Sequence, residues 1–142
     1  MRKQKENSLY EQDFCLWSFT QANLLRKGKI SQADIENIAE EIETLGRSEK
    51  SAIKQYLINL LMHKLKIEYQ PEKHTKSWDR SIVNSQTKVE LILQDNPSLR
   101  RHLIEFVQKS YPLAIRKAAV ETGLNEKIFP KQCPWSIEEI LM

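Results

Sequence analysis

The sequence predicts an all-α protein: a single-domain helical bundle of about five helices with a short C-terminal helix. Three observations predict it. Apolar residues recur at spacings of three and four through most of the chain. Helix start and stop residues sit at the ends of those segments. With only 3 Gly in 142 residues and no run of alternating apolar and polar positions between turns, no strand is expected. No internal repeat or low-complexity segment interrupts the pattern.

The first helix is expected over Leu9–Lys27. Ser8 and Glu11 have capping-box spacing, Tyr10, Phe14, Trp17, Gln21, Leu24 and Leu25 form a near-heptad stripe, and Gly28 follows Arg26 and Lys27. Trp17, Phe14 and Cys15 are expected in the core. The second helix, Ser31–Arg47, is the one around which the chain is organised. Ser31 is placed to cap it, and Asp34 suits its positive end. Ile30 and Ile35 have the spacing of a hydrophobic staple, and Gly46 is placed to close the helix. Ile35, Ile38, Ala39, Ile42 and Leu45 make one apolar face, with Glu36, Glu40 and Glu43 along its flank.

A third helix from Ser48 to about Tyr69 is apolar over much of its circumference, with Ile53, Leu57, Leu60, Leu61 and Leu65, and should be the most buried. Gln70–Lys76 reads as a loop, since Pro71 stops the helix. Ser77 opens a fourth helix with Trp78, Ile82, Gln86, Val89 and Leu93 at heptad spacing. Asn96 and Pro97 mark the start of a fifth, running to about Thr122, where Gly123 ends it; Pro112 lies inside and should kink it. Ser136 and Glu139 form a capping box for a last short helix from Ile137.

Composition sets the outer limits. The chain has the length of one ordinary domain, and 40% hydrophobic residues are enough for a core. Residues 1–8 read as a flexible basic N-terminal tail, and residues 9–142 as one helical domain. No apolar run approaches the roughly 20 residues of a membrane span, and no apolar segment follows the basic start as in an export signal. A cytoplasmic protein with its two cysteines, Cys15 and Cys133, reduced is therefore expected, and no membrane partner. The net charge of +3 is too weak to argue for nucleic acid without a clustered patch.

Two clusters have chemical capacity. Glu36, Glu40 and Glu43 could meet His63 or Arg80 in a polar pocket, where burial would perturb the carboxylates. A solvated acidic face is the more frequent outcome for such residues. Lys64, Lys66, Lys73, His74 and Lys76 gather around one loop as a basic patch, with Glu68, Glu72 and Asp79 interleaved. No metal-ligand motif, phosphate-binding loop or catalytic triad order occurs, and no catalytic residue, metal or cofactor is assigned.

The stretches Ala39–Glu49, Tyr69–Glu72 with Ser77–Trp78, Pro97–Arg100, Glu121–Leu124 and Phe129–Trp135 follow one another in an order that resembles the bacterial domain-of-unknown-function family number 29, best known from cyanobacteria. The resemblance covers the chain from about Leu9 to its end. It implies a small all-helical domain and no assigned activity. The polar positions it carries over are Glu40, Glu41, Glu43, Arg47, Glu49, His63 and Arg80.

Three functions compete. A protein-interaction or structural module, binding a partner helix or a second copy, ranks first and makes an enzyme the lesser expectation. A nucleic-acid-associated protein using the basic residues between positions 64 and 80 ranks second. A metal-binding or hydrolytic site from Glu36, Glu40, Glu43 and His63 ranks third, because a Glu-x-x-His pair is missing from any one helix.

Overall fold

The computed structural model describes residues 8–142, so the expected N-terminal tail lies almost wholly outside the described residues. Among them the fold is all-α and no strand occurs. Six α-helices follow one another: α1 (Leu9–Gln12), α2 (Phe14–Arg26), α3 (Ile35–Tyr69), α4 (Lys76–Asp95), α5 (Leu103–Thr122) and α6 (Ile137–Leu141). The chain divides into two compact units, Met1–Arg47 and Ser48–Met142, with the boundary inside α3.

Several boundaries differ from expectation. The first segment is broken at Asp13, whose carboxylate accepts a hydrogen bond from the Leu16 N–H at 2.9 Å and caps α2 in place of the expected Ser8. Ser31 does not start the next helix; it lies in a 3-10 turn, Ile30–Gln32, and α3 begins at Ile35. Gly46 does not end that helix, and the second and third expected helices are one helix of 35 residues. A glycine closes a helix only where the backbone turns left-handed. Gly123 does so, with φ of 75°, after α5. Gly46 instead keeps helical geometry. The segment after Asn96 opens as a 3-10 turn, Pro97–His102, before α5 proper.

In the first unit, α2 and the opening turns of α3 make an antiparallel hairpin. Contacts fix the direction, since Tyr10 reaches Glu41 while Gln21 reaches Asp34. In the second unit, Ile53, Leu57, Leu60, Leu61 and Leu65 of α3 are fully buried, as their density in sequence predicts. Val89 and Leu93 of α4, Leu103, Phe106, Tyr111, Ala114 and Ala118 of α5, Phe129 and Ile140 complete that core. Polar side chains tie its elements at their backbones. Gln70 Nε2 donates to the Thr122 carbonyl at 3.1 Å, and Gln86 Nε2 to the Ile140 carbonyl at 2.9 Å. Ser136 and Glu139 form the expected capping box of α6.

Candidate functional site

The first unit has a polar interior. Trp17 Nε1 donates to Asp34 Oδ2 at 3.0 Å, and Asn37 Nδ2 donates to the same oxygen at 2.7 Å. The Asp34 N–H donates to Gln21 Oε1 at 2.7 Å. The Tyr10 hydroxyl donates to Glu41, and that bond, with burial, pushes the phenol up to about 12. Tyr10, Phe14 and Trp17 pack ring on ring at 4.7 to 5.8 Å between centroids. Among the described residues of this unit only Trp17, Gln21 and Asn37 are buried.

This arrangement overturns the expected packing of α3. The side turned to α2 carries Asp34, Asn37 and Glu41. The apolar stripe beside it stays open: Ile35 is 50% exposed, Ile42 63% and Leu45 69%. Phe14 and Cys15 are exposed as well, so the core places expected for them are not taken. The reason is the pull of the Trp17–Asp34–Asn37 network. It turns Trp17 Nε1 and Asn37 Nδ2 to the Asp34 carboxylate, leaving Asn37 Oδ1 without a partner, and the stripe is not covered within the hairpin.

Glu36 is exposed on the first unit. Glu40 and Glu43 come together there with Arg47, each at 3.4 Å, and all three side chains are more than half exposed. Such pairs contribute about 0–1 kcal/mol. In the second unit His63 is buried, and its Nδ1 lies 2.9 Å from the Asn59 carbonyl oxygen. Arg80 is exposed. Among the described residues no group of three or more His, Cys, Asp or Glu is placed to hold a metal ion.

The basic residues are largely engaged. Lys66 is buried, with Nζ 4.4 Å from the centre of the Trp78 ring. Lys64 Nζ lies 4.9 Å from the Trp135 ring and donates to the Glu139 carbonyl at 3.4 Å. His74 Nε2 lies 2.6 Å from Asp79 Oδ1, with its ring stacked on Trp78. Lys73 and Lys76 are exposed. Cations held over ring faces inside a fold are structural contacts, so the cluster offers few charges to an outside phosphate.

A cleft of about 690 Å³ opens beside α5, lined by Tyr111, Pro112, Lys131, Cys133, Trp135 and Ile137 among others. Tyr111 turns its hydroxyl to the Pro130 carbonyl at 2.7 Å, and burial pushes its phenol up to about 12. Burial also pushes the Cys133 thiol up, which keeps it in the unreactive protonated form at neutral pH.

Fold and surface together define a small all-α domain with a buried polar network, in which Asn37 Oδ1 has no hydrogen-bond partner, and an uncovered apolar helix face. The chain belongs to the family described as domain of unknown function DUF29, whose model matches residues 9–142. No curated protein and no solved structure matches it. No described helix is long and apolar enough to cross a membrane.

The sequence pattern marked Ile35, Ile38, Ala39, Ile42 and Leu45 as one apolar face of a bundle helix. The exposure of Ile35, Ile42 and Leu45 and the buried place of Asn37 were missed, whereas Trp17 and Gln21 are buried as their shared stripe predicts. A stripe seen in sequence says that something covers it, not what.

Proposed function

We propose that the chain is a protein-interaction module, with the open side of the α2–α3 hairpin as its binding face. The single observation that carries this is the exposure of Ile35, Ile42 and Leu45 along one line of α3. A helix presents such a stripe to be covered. Large uncovered apolar patches on soluble proteins mark interaction sites. The engagement of Lys64, Lys66 and His74 in internal contacts favours this over nucleic-acid binding.

Site-specific photo-crosslinking in living cells tests the proposal. A photoreactive residue at Ile42 should give a discrete covalent adduct with a polypeptide. The same residue at Val120, a more open apolar position of α5, should give at most a tenth as much. Equal background at both positions would refute an interaction face on the hairpin.

A further inference from the structure

We infer that the unit Ser48–Met142 holds a binding site for a small amphipathic carboxylate, with its acyl chain along α5 and its charged end beyond Pro112. The site goes beyond the interaction-module proposal and does not depend on it. Two hollows lie along one side of α5. The cleft of about 690 Å³ runs past Ile104, Tyr111 and Pro112, with Trp135 and Ile137 in its wall. A second hollow, of about 630 Å³, lies past Ile115 and Phe129. Pro112 and Lys131 line both, so the two adjoin there. From Ile104 to Arg116 the helix rises about 18 Å. Together they make a groove, which accepts a chain more readily than a compact ring.

The walls are fixed before any ligand arrives. Phe129 and Ile140 are buried in the core, and the Tyr111 hydroxyl donates to the Pro130 carbonyl at 2.7 Å. Lys64 Nζ donates to the Glu139 carbonyl at 3.4 Å and lies over the Trp135 ring. A preformed site spares a ligand the cost of ordering the chain around it. The cleft is apolar at its base, where Val107 and Tyr111 are buried, and Ile104 beside them is 65% exposed. An acyl chain laid over Ile104 takes that surface out of water. Small-molecule sites have this make-up, apolar walls with a few placed polar groups.

Charge sets the direction of the ligand. Arg116, Lys127 and Lys131 line the second hollow against one carboxylate, Glu126. Three cations less one carboxylate leave it a net charge of +2. Among the described residues none of the three cations has an ion-pair partner, whereas Arg47, Arg100 and Lys109 each have one. In the cleft, Lys131 is balanced by Glu138, the other charged residue of its lining. An anion is therefore drawn to the second hollow, and the uncharged part of the molecule is left to the cleft. Arg116 brings a planar fork that matches a carboxylate. The Cys133 thiol in the cleft stays protonated, so the ligand is held without a covalent bond.

Nuclear magnetic resonance titration of the full chain with decanoate, decanol and butyrate tests the site. Decanoate should shift the Trp135 indole N–H and the amides of Gln108 and Lys131, and saturate. Decanol, which lacks the charge, and butyrate, which lacks the chain, should each bind at least about tenfold more weakly. Lys131→Glu should weaken decanoate at least about tenfold and leave decanol within about twofold, because it reverses a charge and removes no apolar wall. Lys131 is exposed, so the variant should fold; Lys127→Glu replaces it if it does not. Decanol binding as tightly as decanoate, shifts confined to residues outside the groove, or decanoate binding that neither charge reversal weakens would overturn the proposal. So would the absence of decanoate binding. Cosedimentation with phosphatidylglycerol vesicles in that case would assign the cations to an anionic membrane surface instead. None of these results alters the Ile42 photo-adduct, so this site and the hairpin face stand or fall separately.

Discussion

At the scale of single residues, Asp34 decides how the first unit is built. One carboxylate oxygen serves both the Trp17 indole and the Asn37 amide, and the Asp34 N–H is taken by Gln21. Hydrogen bonds to a charged group contribute about 1.5–3 kcal/mol each, and a lost acceptor strands buried donors. The second tie, Tyr10 to Glu41, has a pH signature. The Tyr10 phenol is raised from 10.0 to about 12, first by its bond to Glu41 and then by burial. Below pH 10 the phenol is protonated in folded and unfolded chains alike, and its contribution is fully present. Between about 10 and 12 the unfolded chain ionises first, so stability is lost as pH rises. Tyr111, raised to about 12 chiefly by burial, adds a like loss in the second unit. Absorbance titration at 295 nm should show two late-ionising phenols, and Tyr10→Phe should leave one. Two remaining after that substitution would show that Tyr10 is not held by Glu41.

At the scale of elements, α3 separates what sequence carries from what it does not. Its buried turns were legible: Ile53, Leu57, Leu60, Leu61 and Leu65 crowd the circumference, and all are buried. The caps at Ser136 and Gly123 were legible too, because they depend only on neighbours in the chain. Gly46 was not. A glycine after an apolar stripe has the same local signature whether the helix stops or continues, and here it continues to Tyr69. Gly46 therefore carries the backbone entropy of glycine without using its freedom. A Cβ built there meets nothing within 4 Å. Gly46→Ala should raise stability by about 0.5–1 kcal/mol in urea unfolding, with more helical ellipticity before the transition. A loss of stability would mean that position 46 needs the space a methyl group fills.

At the scale of the whole molecule, the candidate site was only half legible, for a related reason. The apolar stripe of residues 35–45 was written in the sequence, but its exposure follows from Trp17, Gln21 and Asn37 claiming the inside of the hairpin. That contest between distant residues has no local trace. It leaves two units of unequal internal support: one with Trp17 as its only buried apolar side chain among the described residues, the other with a continuous core. Local opening free energy follows buried apolar contact. Amides at positions 53–65 should exchange with solvent slowest, and those at 35–45 at least about 100-fold faster in dilute solution, although both lie on one unbroken helix. Hydrogen-exchange mass spectrometry reads the difference. Equal protection along all of α3 at low concentration would mean that the hairpin face is covered without a partner.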